Sequence, residues 1–119
     1  MELNEISGTI VDSAMKVHTA LGPGLLESTY EACLTFELAE RGLEVRAQVA
    51  LPITYRTVRL DAGYGIDLLV EDSVIVELKA VESVLPIHEA QLLSYLKLSG
   101  KKLGLLINFN RFRTPAKRL

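Results

Sequence analysis

Cysteine occurs once in this chain, at Cys33. A lone thiol closes no internal disulfide, and a reducing cytoplasm is the simplest home for it. With no local His or basic partner to activate it, Cys33 reads as a plain buried thiol on a helix, not a nucleophile. No apolar run approaches the roughly 20 residues that cross a bilayer. The opening residues, Met1-Glu2-Leu3-Asn4-Glu5, lack the positive start and apolar stretch of a signal peptide. There is no phosphate-cradling G-x-x-x-x-G-K-S/T loop, so ATP dependence is not expected. Repeats, linkers and low-complexity segments are missing as well.

Acid is missing from one stretch. Residues 97–119 carry seven basic side chains and no Asp or Glu, whereas residues 1–96 carry 15 acidic and 6 basic ones. Such an asymmetry marks either a polyanion-binding edge or a solvated, partly frayed basic tail, and charge alone does not choose. Lys101, Lys102, Arg111 and Arg113 are its candidate phosphate contacts. The rest is an ordinary globular balance: 119 residues, 49% apolar and 24% charged, which suits one compact domain over residues 1–119. Mean hydropathy is positive, high for so small a domain. Part of the apolar surface is therefore expected in a subunit interface, most simply a homodimer.

Leu3, Ile6, Ile10, Ala14, Val17 and Leu21 recur at spacings of three and four, which predicts an amphipathic helix over 4–20 that Gly22-Pro23-Gly24 ends. A second helix is predicted over 26–41, with Tyr30, Cys33, Leu34 and Leu38 on its apolar side and Gly42 as its cap. The period then becomes alternating. Val45 to Leu51 reads as a strand, and Ile53–Leu60 as a second one, at an edge or an irregular turn because of Pro52, Arg56 and Arg59. Tyr64–Val70 and Val74–Lys79 follow, the latter apolar on both faces like a central strand. Pro86 opens a helix through Ser99 whose buried side is predicted at Ile87, Ala90, Leu92 or Leu93, Leu96 and Ser99. Leu103–Asn108 is the last strand. The order predicts an α/β fold with a mixed sheet between helices.

Two carboxylates stand out in this frame: Asp67 in one strand, and Glu77 in Glu77-Leu78-Lys79 of the next. Residues two apart in a strand face one way, so Glu77 and Lys79 project together. If Glu71-Asp72-Ser73 is the hairpin loop, Val70 faces Val74 and Asp67 faces Glu77. A two-residue loop would put the acids on opposite faces. Carboxylates that close repel when ionised and need a neutralising partner. Mg²⁺ or Mn²⁺ suits such oxygen ligands and would polarise a phosphodiester and activate a water. Lys79 would orient that water or stabilise the developing charge. A structural salt bridge between Glu77 and Lys79 explains the same three residues and is the commoner use of so short a pattern. The strands around them are otherwise apolar, however, and burying an unpaired carboxylate there is costly.

Asp67, nine intervening residues and Glu77-x-Lys79 resemble the signature of the PD-(D/E)XK nuclease superfamily, with Ile66 where Pro commonly stands. Gln91-Leu92-Leu93-Ser94-Tyr95 resembles the Q-x-x-x-Y motif of its RecB-type branch. Gly24-Leu25-Leu26-Glu27-Ser28-Thr29-Tyr30 resembles the motif that names the small GxxExxY family, and Gly104-Leu105-Leu106-Ile107-Asn108-Phe109 that family's closing strand. The likeness runs from His18 to Phe109. It implies a restriction-endonuclease-like αβββαβ core and Mg²⁺-dependent phosphodiester hydrolysis, with Asp67 and Glu77 as metal ligands and Lys79 catalytic. It also implies a metal or water role for Glu27, although a carboxylate at a helix start is sufficiently explained by the helix dipole. Gln91 and Tyr95 share a helix face and are the implied phosphate or nucleotide contacts; core packing also explains Tyr95. His18 and His88 are structural or solvent-facing on their residues alone and weaker candidates by resemblance. Tyr30 is expected in the core.

The leading expectation is a nuclease acting on nucleic acid, DNA ahead of RNA. A catalytically silent module binding nucleic acid or protein on the same fold is the alternative, and a structural or assembly protein in which Asp67, Glu77 and Lys79 form an internal ion network is the third.

Overall fold

The structure, a computed structural model, describes residues 1–61, 63–111 and 116–119. Two helices open the chain, α1 (Leu3–Leu21) and α2 (Glu27–Glu40). Strands β1 (Val45–Ala50), β2 (Ile53–Tyr55), β3 (Val58–Leu60), β4 (Gly65–Val70) and β5 (Val74–Lys79) follow. Helix α3 (Pro86–Ser99), β6 (Leu103–Asn108) and β7 (Ala116–Arg118) complete it. Five strands form one mixed sheet in the order β1-β4-β5-β6-β7, in which only β5 and β6 are parallel. The α3 crossover between those two strands is what parallel pairing requires.

The sheet is covered on both faces. Ile6, Ile10, Ala14 and Val17 of α1 and Tyr30, Leu34 and Leu38 of α2 pack on Leu68, Val70, Val74, Val76, Leu78, Leu105 and Ile107. On the other face, Leu92 and Tyr95 of α3 meet Ile66, Leu69, Ile75 and Leu106. Gly22 ends α1 with its N–H on the His18 carbonyl at 2.8 Å, and Gly42, at φ +82°, ends α2. No helix among the described residues is long and apolar enough to cross a membrane.

Two expectations are corrected. Ile53–Leu60 is not one strand: it folds back at Arg56-Thr57 into a separate two-stranded ribbon, β2–β3. Of the predicted buried side of α3, Leu92 is buried and Leu96 and Ser99 are half-buried, with Tyr95 buried beside them, whereas Ile87 is 66% and Leu93 53% exposed, and Ala90 is exposed too. The helix lies against Gly104, where a Cβ would stand 2.8 Å from Leu92, and that close approach sets its rotation. Of the basic tail, Ala116–Arg118 pairs with β6.

Candidate functional site

A gap in the pairing of β4 marks the site. Its pairing with β1 passes from Ala47↔Leu68 to Val49↔Ile66, skipping Asp67, whose opposite number Gln48 has φ +53°. Pairing with β5 follows the counted register, Val70↔Val74 through Leu68↔Val76, and ends one step before Asp67 and Glu77. Side-chain alternation breaks here too: Leu68 faces the α1–α2 core, yet Ile66 and Leu69 both face α3. Where the strands part, Asp67 Oδ2 accepts the Leu78 N–H at 2.8 Å, replacing the backbone acceptor that a continued ladder would supply.

Glu77 is 6% exposed, and its Oε1 is buried with no hydrogen-bond partner. Burial above all pushes its carboxyl from 4.5 up to about 9. A side-chain hydrogen bond with Asp67 and the charge of Asp67 push the same way, and Lys79 opposes them. Burial beside Asp67 therefore disfavours the charged form of Glu77 at neutral pH. Burial raises the Tyr95 phenol also, followed by the charges of Glu77, Asp67 and Tyr64. The rings of Tyr64 and Tyr95 meet edge-on, with centroids 6.5 Å apart.

Asp67 opens into a cleft of about 120 Å³ lined by Glu27, Ser28, Glu31, Gln48 and Leu78. Glu27, first residue of α2, thus shares a cleft with Asp67. Gln48 Nε2 donates to Glu31 Oε1 at 2.6 Å, tying β1 to α2 across it.

The other candidates are scattered. Gln91 is exposed on α3 one turn before Tyr95. Lys101 and Lys102 precede β6, beside the β4–β5 turn, where Lys101 Nζ lies 3.3 Å from Asp72 Oδ1. That end of the sheet is opposite to Glu77 and Lys79, which pair with Leu106 and Asn108 near the end of β6. Arg111 is exposed just past β6, at the end where Lys79 lies, and Arg113 falls outside the described residues. His88 Nδ1 accepts the Leu85 N–H and caps α3. His18 is buried against Phe109, which stacks on Tyr30. Cys33 is half-buried.

Sequence reasoning missed Gln48, Glu31, Tyr64 and Asn108. Buried Asn108 binds the Val81 N–H and carbonyl through its side chain, fixing the chain that leaves Lys79. A polar residue closing an apolar strand was its signal. Gln48 becomes visible only after β1 is registered on β4.

The donor set fits a divalent cation. Asp67 and Glu77 offer hard oxygens, and a cation would satisfy the orphan Oε1 and the repulsion between the acids. Among the described residues no three His, Cys, Asp or Glu side chains are grouped to hold a metal, but Mg²⁺ is commonly bound through one or two carboxylates with water completing its shell.

The family described as the PD-(D/E)XK nuclease superfamily matches residues 4–119 of this chain. No curated protein and no solved structure matches it.

Proposed function

Because the chain belongs to the PD-(D/E)XK nuclease superfamily, we propose that it hydrolyses phosphodiester bonds of DNA, or secondarily RNA, with Mg²⁺ or Mn²⁺. The observation that carries this is the buried carboxyl of Glu77 set against Asp67 with an unsatisfied oxygen. Those two residues would hold the ion, which when bound offsets their charge and polarises the phosphodiester and a water. Lys79, on the same face of β5 as Glu77, orients the attacking water or steadies the growing negative charge. Tyr95, kept protonated, donates a hydrogen bond to a phosphate oxygen, and Gln91 reaches the same strand from one turn away. Glu27 acts from the cleft, on water. The motifs at Gly24–Tyr30 and Gln91–Tyr95 support a finer placement in the GxxExxY family and the RecB-type branch, and the lone Cys33 supports a cytoplasmic setting.

The test is cleavage of plasmid and oligonucleotide DNA with MgCl₂ or EDTA. Glu77→Ala should abolish Mg²⁺-dependent cleavage and keep its fold, while Lys79→Ala loses roughly 10²-fold or more in rate with metal affinity little changed. Equal cleavage by all three proteins identifies a contaminant and ends the proposal. The catalytically silent binding module draws support from the same burial of Glu77, which favours its neutral form and leaves less charge for a metal to offset. Its mark is DNA binding by wild type with no cleavage.

A homodimer is supported by the largely apolar groove of Val17, Ala20, Ala32 and Cys33 between α1 and α2, flanked by Lys16 and Glu37, with Phe36 63% exposed in it. Light scattering should give twice the chain mass, and Phe36→Glu the single mass.

A further inference from the structure

Six basic residues serve the first 96 positions. Lys16, Arg41 and Arg46 lie against Glu37, Asp12 and Asp72, and Lys79 belongs to the site. The remaining two, Arg56 and Arg59, are both on the β2–β3 ribbon. Arg59 shares Asp61 at 3.4 Å, both exposed, and such a surface pair is worth little. The Arg56 guanidinium lies 5.7 Å over the Tyr55 ring. Tyr55 is 65%, Val58 51% and Leu60 48% exposed, on a ribbon that among the described residues pairs only with itself. Two strands alone are marginally stable in water, so apolar exposure there has a cost unless something covers it.

The stalk of this ribbon stands at the site. Leu51 N–H bonds the Tyr64 carbonyl at 2.9 Å, and Ala50 pairs with Gly65. Asp67 is three residues beyond Tyr64, roughly 10 Å along the strand. Tyr64 is itself 45% exposed and touches Tyr95. Exposed rings interleaved with arginines, leading away from a phosphodiester site on an otherwise acidic body, are suited to one kind of ligand. Bases of an unpaired strand offer faces to aromatic rings and phosphates to arginine, whereas a duplex hides its base faces in the stack.

We propose that the β2–β3 ribbon is a substrate arm gripping an unpaired strand of nucleic acid that runs on from the cleavage site. Bases stack on Tyr55 and Tyr64, and phosphates meet Arg56 and Arg59. The identity of the polymer rests on the nuclease reading; the grip does not need cleavage.

The experiment measures anisotropy of a fluorescein-labelled thymidine 20-mer, and of a 20-base-pair duplex, with the full chain in CaCl₂. Wild type should bind the single strand more tightly than the duplex. Tyr55→Ala should weaken single-strand binding about tenfold, Tyr55→Phe should retain it, and Arg56→Ala with Arg59→Ala should flatten the log–log salt slope by about 1.4. Unchanged melting temperatures confirm intact folds. Wild-type affinity in Tyr55→Ala, equal or tighter binding of duplex, or no binding by wild type overturns the arm. Cleavage in MgCl₂ by wild type and Glu77→Ala is scored separately. Cleavage that Glu77→Ala abolishes, with no ribbon effect, removes only the arm. A ribbon effect without cleavage keeps the arm and removes the nuclease reading.

Discussion

At the scale of single residues, Glu77 sets the behaviour to expect. Its carboxyl rises from 4.5 to about 9 on folding. Between those values the folded chain holds a proton that the unfolded chain has released. Stability from this group is therefore complete below about pH 4.5 and is lost as pH climbs toward 9. In EDTA, the melting temperature of wild type should fall between pH 6 and pH 9, and Glu77→Gln should lose most of that fall. A variant that keeps the full pH dependence would place the titration elsewhere. Binding Mg²⁺ must expel the same proton, so affinity should rise by up to about tenfold per pH unit below pH 9, as calorimetry in buffers of different ionisation heat would show. Tyr95→Phe keeps the ring beside Tyr64 and removes only the hydroxyl. A fall of about 10- to 100-fold in kcat/KM at an unchanged melting temperature is the expected result.

At the scale of elements, the approach of α3 to β6 offers the sharpest test. Gly104→Ala drives a Cβ to 2.8 Å from Leu92, which is fully buried and cannot swing aside. The cost should be about 1–3 kcal/mol by urea unfolding. Combining it with Leu92→Ala should cost less than the sum of the two, because the smaller side chain makes room. The helices and central strands were legible in sequence: the three-and-four spacing of Ile6, Ile10, Ala14 and Val17, and the unbroken apolar run of β5, each admit one period. The α3 face was not. Ile87, Leu92, Leu93 and Leu96 ring the helix, and the missing Cβ of a glycine on another element decides among them. The ribbon escaped because its turn, Arg56-Thr57, has no Gly or Asn to announce it, although Arg56 takes φ +55°. Asp67 and Glu77 were legible as a pair because they sit one step beyond a register that loop length fixes. The gap in the ladder at Asp67 lies opposite Gln48 of a third strand, and no local pattern carries it.

At the scale of the whole molecule, charge is spread over distances that a short substrate does not span. Lys101 and Lys102 stand at the other end of β5 and β6 from Glu77, roughly 13–17 Å away by strand rise. Lys101→Ala with Lys102→Ala should weaken binding of a 30-mer and leave a tetranucleotide unaffected, measured by competition at low salt. Equal losses for both lengths would bring the lysines to the scissile bond and contradict this layout. The final strand has a different consequence. Strand β6 is buried from end to end, and Leu103, Leu105, Leu106 and Ile107 make it one of the most apolar stretches of the chain. Lys117 and Arg118 pair across it, with Lys117 also salt-bridged to Glu89 of α3. A short charged strand in that position is a guard against edge-to-edge growth, because it takes the hydrogen bonds that another chain's strand would seek and offers none of its own stickiness. Removing residues 116–119 should leave a chain that still collapses but precipitates on standing, with thioflavin-positive material where the intact chain stays clear.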